Sequence, residues 1–142
     1  MPDTETFPAL LGETARAWRA RLDERLKPLG LSQAKWLVLL HLSHGGDAMI
    51  QKDLASRIGI EGPTLVGLLD RMARDGWLER RESPGDRRSK TVHLTGKSHE
   101  ILRRIKSVAA QLRRELLSGL SEEELSQCTT VLHKIKEKAE HL

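Results

Sequence analysis

Basic side chains are the groups of this sequence best suited to chemistry with a partner, and they lie in its middle and second half. Lys and Arg outnumber Asp and Glu in residues 71–90 and 97–117, whereas the two kinds of charge balance in the first 30 residues. The net charge of the 142-residue chain is only +4. Because guanidinium and ammonium groups bind phosphates, this uneven distribution favours a polyanionic partner.

The sequence lacks the usual spacings of catalytic and metal-binding groups. Its histidines are scattered, and none stands in the His-x-x-x-His spacing of a zinc site. Neither a glycine-rich phosphate loop nor the Gly-x-Ser-x-Gly motif of a nucleophilic serine is present. We therefore expect a protein that is not an enzyme, with no catalytic residues, no metal site and no cofactor.

Cys128 and the apolar runs bear on the compartment. A single cysteine forms no intramolecular disulfide, which agrees with reducing surroundings. We interpret Cys128 as a small apolar residue of a helix, with a redox-sensing thiol as the alternative. The longest apolar run, residues 36–40, is too short to cross a bilayer, and the first residues do not resemble a secretory signal. These features predict a soluble, cytoplasmic protein of one domain that does not bind membranes.

The elements that must position the basic groups begin with two helices around a glycine. The spacing of apolar residues predicts a short helix over 51–58, a turn at Gly59 and a second helix that begins at Gly62-Pro63 and ends at Arg74. Pro63 suits the first helical position. The buried stripe of the second helix is expected to contain Leu65, Leu68, Leu69 and Met72. This arrangement is typical of a helix-turn-helix, whose second helix enters the major groove of DNA.

A basic hairpin is predicted directly after the helix-turn-helix. Beyond Gly76 the apolar period changes to two, which indicates strands over 77–82 and 90–94 with Leu78, Val92 and Leu94 inward. Residues 83–89 between them contain Pro-Gly and two arginines, so we expect a turn with a basic tip. Such a wing can lie along the DNA backbone or reach into the minor groove, where arginine is favoured.

Flanking helices complete the predicted fold, which is mainly α with a small β-hairpin. Helices are expected over residues 9–26, after a capping Ser32, over 96–117 after a capping Thr95, and after a capping box of Ser121 and Glu124. Met49 and Ile50 are a candidate for a very short strand. Their apolar faces exceed what so small a domain can bury, which predicts a homodimer; the alternative is a monomer whose terminal helices fold back. The predicted regions are dimerisation helices over 1–30 and 97–142, a DNA-binding lobe over 31–95, a helix-turn-helix over 51–74 and a wing over 77–94.

Within these elements, the sequence resembles the MarR family of bacterial regulators. The matching segments are residues 53–60, 63–66, 69–72, 75–80, 86–88 and 92–95, which read DLASRIGI, PTLV, LDRM, DGWLER, DRR and VHLT. Residues 18–20 (WRA) and 25–29 (RLKPL) resemble its SlyA branch. The resemblance implies a triangular homodimer with a winged helix-turn-helix in each subunit. It also implies binding to palindromic operators in double-stranded DNA, as a repressor or an activator, and in many members release by a small aromatic acid.

The resemblance also implies which residues bind DNA. They lie on the second helix and in the wing: Pro63, Thr64, Gly67, Arg71, Asp86, Arg87, Arg88 and Lys90. Thr64 would read a base or a thymine methyl weakly, and Arg71 would reach a phosphate or a base. Arg88 is the candidate for the minor groove and Arg87 for a phosphate, while Asp86 would orient the tip by pairing with a neighbouring arginine.

Two residues of the second helix need separate comment. Asp70 resembles a family residue that pairs with a basic group and steadies the wing; the alternative is a solvated acid. Gly67 departs from the SlyA-like pattern, which commonly has a base-reading arginine at this position. The missing arginine side chain has three possible consequences: a different operator sequence, greater reliance on Arg71 and the wing, or weaker sequence specificity. We hypothesise that Gly67 allows close approach of the helix to DNA.

By the same resemblance, an effector would bind in the crevice between the dimer helices and the DNA-binding lobe. The candidates are Arg16, Trp18, Arg19, Ala34, Trp36, Leu37 and Leu40. An arginine beside a tryptophan suits an aromatic carboxylate; alternatively, both tryptophans belong to the core and both arginines to the surface. Leu40 replaces the pocket histidine of SlyA-like proteins, with His41 next to it, so ligand specificity does not transfer.

A protein-interaction module is the remaining alternative for function. A winged helix can keep its fold and bind a protein without binding specific DNA. The basic hairpin and Arg71 favour DNA over this alternative. A steep loss of affinity with salt would distinguish the two, because phosphate binding releases counterions.

Overall fold

The fold is mainly helical with a small antiparallel sheet, as predicted. A computed structural model describes Met1 and residues 3–142, apart from the side chain of Arg87. The elements are α1 (Phe7–Leu26), a 3-10 turn (Lys27–Leu29), α2 (Gln33–His44), β1 (Ala48–Ile50), α3 (Gln51–Ile58), α4 (Gly62–Arg74), β2 (Leu78–Ser83), β3 (Asp86–Leu94), α5 (Ser98–Leu117) and α6 (Glu122–Glu140). The chain divides into two compact units, residues 1–110 and 111–142. None of the described helices is long and apolar enough to span a membrane.

The sheet has three strands, which are the two of the predicted hairpin and β1, where the sequence offers Met49 and Ile50 as a very short strand. Its order is β1-β3-β2, with both neighbouring pairs antiparallel. Met49 of β1 pairs with Val92, and Leu78 of β2 pairs with Leu94. Val92 and Leu78 are buried and Leu94 is half-buried. Because α3 begins at the residue after β1, the sheet attaches the start of the helix-turn-helix to the wing.

The helix-turn-helix has the predicted bounds. Gly59 follows α3 with φ 79°, a left-handed conformation that costs a glycine little and turns the chain toward α4. The side chains of α4 that are buried are the predicted ones: Leu65, Leu68, Leu69 and Met72. Pro63 is the second residue of α4, since Gly62 opens the helix. Either position tolerates proline, because the first N–H groups of a helix have no partner within it.

The wing differs from the predicted open tip. Only Pro84 and Gly85 form the turn, and β3 begins at Asp86. Ser83 pairs with Asp86 and Glu82 with Lys90, so residues 87–89 form a bulge in β3. Gly85, with φ 79°, permits so tight a turn. The basic residues of the wing therefore lie on a bulged strand.

Thr95 does not cap the helix that follows it, contrary to the prediction. Its hydroxyl donates to the carbonyl of Gly76 at 2.5 Å, and α5 begins at Ser98 rather than at residue 96. The hydroxyl of Ser98 donates to the carbonyl of Thr95 at 2.7 Å. The end of β3 lies beside the turn after α4, so the hydroxyl of Thr95 bonds to that turn and does not cap α5. This bond joins the wing to the turn.

Trp36 anchors α2 in the first unit. The helix begins at Ser32, whose hydroxyl accepts the N–H of Lys35, as predicted. Trp36 is 1% exposed, and its indole N–H donates to the carboxylate of Asp23 in α1 at 2.9 Å. A buried indole N–H needs such an acceptor, so this bond fixes α1 against α2.

Apolar side chains remain exposed on the terminal helices of the single chain. In the second unit, α6 begins with the predicted capping box of Ser121 and Glu124. Its apolar residues are nevertheless exposed: Leu125, Val131, Leu132 and Ile135. Cys128 of the same helix is also exposed. In the first unit, the start of α1 exposes Phe7, Leu10 and Leu11.

Candidate nucleic-acid interface

The outward face of α4 carries the residues predicted to contact DNA. Pro63, Thr64 and Arg71 are exposed and Gly67 is half-exposed, while the apolar stripe of the same helix is buried. Positions 64, 67 and 71 follow the helical repeat, so they lie along one face. The core thus orients α4 with its polar face outward.

Arg71 lies beside Gly67 on this face. A Cβ added to Gly67 would be 3.7 Å from Nη1 of Arg71, which is ordinary van der Waals contact. The guanidinium therefore occupies space that a longer side chain at position 67 would fill. This contact is between residues four apart, the closest spacing along a helix face.

Asp70 pairs with a basic group, as predicted. The guanidinium of Arg80 in β2 donates to the carboxylate of Asp70 in α4. Both side chains are partly exposed, at 27% for Arg80 and 42% for Asp70. The alternative of a solvated acid is wrong, because this ion pair connects α4 directly to the wing.

Asp86 organises the start of β3 through the backbone. Its carboxylate accepts the backbone N–H of Arg88 at 2.9 Å. The bulge turns the N–H of Arg88 toward Asp86, and the predicted pairing of Asp86 with an arginine side chain remains a prediction, because the side chain of Arg87 lies outside the described residues. Arg88 itself is exposed. The predicted role of Arg87 lies outside the described residues, because its side chain is not among them.

Lys90 is exposed and is partly balanced by an acid across the strand pair. Its ammonium lies 3.7 Å from the carboxylate of Glu82, and both side chains are about half exposed. An exposed pair of this kind is worth little, so Lys90 can exchange Glu82 for another anion at small cost.

A cleft brings the wing, α3 and α4 together. It has a volume of about 500 Å³ and is lined by Ile50, Gln51, Lys52, Ala55, Gly62, Leu65, Asp86, Arg88, Ser89 and Lys90. Three predicted wing residues thus share one concave surface with Lys52 of α3 and the amino end of α4. The first turn of α4 contains no acidic residue and has no side-chain cap, which favours an anion, but the N-cap residue is Glu61, whose charge opposes one.

Lys52 and Gln51 are site residues that the sequence reasoning missed. Lys52 is exposed on the cleft, and the Oε1 atom of Gln51 is buried without a hydrogen-bond partner among the described residues. Their position at the start of α3 was the available signal, since β1 attaches this end of α3 to β3. The pairing of β1 with β3 is a long-range contact that local patterns do not reveal.

The predicted effector residues are divided between surface and core. Arg16 and Arg19 are exposed, while Trp18, Ala34 and Leu40 are half-buried. Trp36 and Leu37 belong to the core, and the N–H of Trp36 already has its acceptor in Asp23. Trp36 therefore agrees with the alternative that the tryptophans belong to the core, and Leu37 lies there too. Trp18 is only half-buried and keeps an accessible surface.

His41 is a further polar group near these residues. It is half-buried, and its Nδ1 atom has no hydrogen-bond partner in the described part of the chain. Burial lowers the pKa of His41, and the positive charges of His44, Arg57 and Arg19 lower it further. The neutral form of the imidazole is therefore favoured over the protonated form. No group of His, Cys, Asp and Glu within the described residues could hold a metal ion.

Comparisons with known proteins agree with this geometry. The family model described as MarR family matches residues 29–89. The transcriptional regulator PA3341 is 45% identical over 96% of this chain and 99% of its own, with a TM-score of 0.88. AbsC, a MarR family transcriptional regulator from Streptomyces coelicolor, is 26% identical over 100% and 98%, with a TM-score of 0.80. A mutant MarR from E. coli complexed with operator DNA is 25% identical over 94% and 99%, with a TM-score of 0.73. The chain belongs to the MarR family of DNA-binding transcriptional regulators.

Proposed function

We propose that this protein binds palindromic operators as a homodimer, with α4 in the major groove and the wing on the adjacent backbone and minor groove. One observation carries the proposal: the amino end of α4 and the wing residues Arg88 and Lys90 line the same cleft, and the outward face of that helix exposes Thr64 and Arg71. A duplex lying along the cleft and the outward face of α4 would place its base edges against Thr64 and Arg71. It would meet Arg88 and Lys90 with its flanking backbone.

Within this interface the residues have different tasks. Thr64 offers a hydroxyl and a methyl group to a base edge, and Pro63 places the amino end of α4 near the phosphates. Arg88 reaches into the minor groove, where a narrow A·T tract attracts guanidinium groups. Arg87, Lys90 and Lys52 neutralise phosphates, an interaction that positions the protein without reading sequence.

The homodimer is supported by the exposed apolar residues of α1 and α6. Leaving Leu132, Ile135 and Leu10 in water is unfavourable, and a second copy offers the matching surface. We assign residues 1–30 and 97–142 to dimerisation and 31–95 to the DNA-binding lobe. A two-fold dimer then presents two α4 helices about 34 Å apart, which explains why the operator should be palindromic.

Repression is the regulatory outcome we propose, since a dimer bound over a promoter excludes competing proteins. Activation, by displacing a silencing protein from the same DNA, would need no different interface. We place the chain in the SlyA-like branch on residues 18–20 and 25–29. Gly67 separates it from the usual operator preference of that branch.

An effector site is proposed beside α1 and α2. The exposed guanidinium groups of Arg16 and Arg19 suit a carboxylate, and the accessible ring of Trp18 suits an aromatic group. Ala34 and Leu40 are half-buried and provide apolar contact, while Trp36 and Leu37 support them from the core. Titrating salicylate against operator binding tests this site, with Arg16→Ala as the comparison; no effect at millimolar concentration contradicts it.

The experiment that tests DNA recognition is selection of bound duplexes from a random pool. We expect an inverted repeat whose half-sites are one helical turn apart, flanked by A·T-rich steps that Arg88→Ala no longer selects. The matched control is Lys35→Ala, which removes a positive charge from α2 instead. A pool without enrichment, or binding that salt does not weaken, would indicate the protein-interaction module instead.

A further inference from the structure

Arg71 projects its charge toward the amino end of α4, over the bare backbone of Gly67. Nη1 of Arg71 lies 3.7 Å from the position that a Cβ of Gly67 would take. Side chains of a helix lean toward its amino end, so the guanidinium lies about one turn before the Cα of Arg71. Arg71 lies in the last turn of α4, so this lean brings its guanidinium back to the middle of the helix, nearer the amino-terminal residues that meet base edges in a recognition helix.

Arg71, like Arg74 of the same helix, has no acidic partner among the described residues, whereas the arginines of β2 have one each. Arg80 is paired with Asp70, and Arg81 is paired with Glu79. Among the side chains that the structure describes, none forms a hydrogen bond or ion pair with the guanidinium of Arg71, which is exposed. The acid nearest to Arg71 in sequence, Asp70, is engaged by the wing. No described side chain therefore competes with DNA for the donors of Arg71.

We infer that Gly67 and Arg71 form a specificity-determining pair in which Arg71 reads a guanine from above Gly67. This inference rests on the proposed function and names the interaction that reads the centre of each half-site. A guanidinium can donate two parallel hydrogen bonds to O6 and N7 of guanine, which an ammonium cannot do. Gly67 contributes by leaving the path of that guanidinium open, so the missing side chain does not mean missing base readout.

The test is selection from a random duplex pool with variants at both positions. Arg71→Lys keeps the charge but loses the bidentate geometry, and we expect the preference for one G·C pair in each half-site to fall by about tenfold or more. Gly67→Gln fills the space under the guanidinium, and we expect loss of preference at the same base pair. Gly67→Ala adds only a methyl group at ordinary contact distance and should produce a smaller change.

Arg74→Lys is the matched control, because Arg74 shares the last turn of α4 with Arg71 but lies three residues further from the amino end. It should keep the preference. Unaltered preference in Arg71→Lys or in Gly67→Gln would overturn the pair and would assign Arg71 to a phosphate. Failure of the proposed function would look different, since the unmodified protein would then enrich no sequence at all.

Discussion

Arg80 of β2 and Asp70 of α4 form an ion pair that links the wing to the recognition helix. The pair is only partly exposed, so solvent screens it less than it screens a fully exposed pair. Neither residue is placed against DNA, yet both determine where the wing lies relative to α4. Breaking this ion pair therefore measures how much the position of the wing contributes to DNA affinity.

Asp70→Asn should weaken operator binding without removing any group that touches DNA. Loss of the ion pair is expected to lower the free energy of unfolding by roughly 1 kcal/mol. Operator affinity should fall by about fivefold, because the wing must then be ordered at the cost of binding energy. Urea unfolding and gel-shift titration measure the two effects. Glu79→Gln breaks the more exposed pair with Arg81 and should change neither the free energy of unfolding nor the operator affinity. Equal effects of the two variants would contradict the linking role of Asp70 and Arg80.

Lys52→Ala should weaken binding to all DNA sequences alike. Its ammonium lies on the cleft beside the wing, where it meets a phosphate in the proposed complex. For each phosphate that the protein no longer neutralises, the slope of log affinity against log salt becomes shallower by ~0.9. A salt titration on an operator and on unrelated DNA checks this, with Lys35→Ala as the control. A change confined to the operator would argue that Lys52 reads a base.

Gly67→Ala and Gly59→Ala should change stability in opposite directions. Gly67 lies within α4 and a Cβ there meets only Nη1 of Arg71, so alanine should raise the free energy of unfolding by about 1 kcal/mol. Gly59 has φ 79°, a conformation that costs an alanine about 1 kcal/mol. Chemical denaturation of both variants provides the comparison. Destabilisation by Gly67→Ala would mean that the glycine is needed for folding rather than for DNA recognition.

Local patterns were sufficient to predict the helices, because apolar spacing and caps act over a few residues. The bounds of α3 and α4, the buried stripe of α4 and the caps at Ser32 and Ser121 all follow from such short-range physics. The family resemblance predicted that Asp70 pairs with a basic group, but it did not identify Arg80 as that group. These features place the recognition helix correctly from sequence alone.

Long-range pairings were what the sequence did not reveal. The bulge at residues 87–89 depends on which residues of β2 and β3 pair, and one step of register changes it. The bond from Thr95 to Gly76 joins residues 19 apart, and the buried indole of Trp36 depends on Asp23 in another helix. Lys52 enters the site only because β1 pairs with β3. Periodicity carries no information on such pairings.

Leu132→Glu should convert the dimer to monomers and abolish tight operator binding. Leu132 is 41% exposed in the single chain and lies on the apolar face of α6. A carboxylate buried against a second copy would be unpaired and costly. Sedimentation at micromolar concentration measures the change, and Thr130→Glu, on the polar side of the same helix, is the control. A monomeric unmodified protein would contradict the proposed dimer.

Acidification should destabilise the protein through His41. Its pKa in the folded protein is lowered by burial and by the charges of His44, Arg57 and Arg19, whereas the unfolded chain has the ordinary value of about 6.5. Above that value neither state binds a proton at this residue. As pH falls through about 6.5 the unfolded state binds a proton that the folded state resists, so the free energy of unfolding decreases until the lower folded pKa is reached. Urea midpoints between about pH 7 and pH 5 should therefore fall less steeply in His41→Gln than in the unmodified protein. Identical slopes in His41→Gln and in the unmodified protein would show that His41 is solvated in both states.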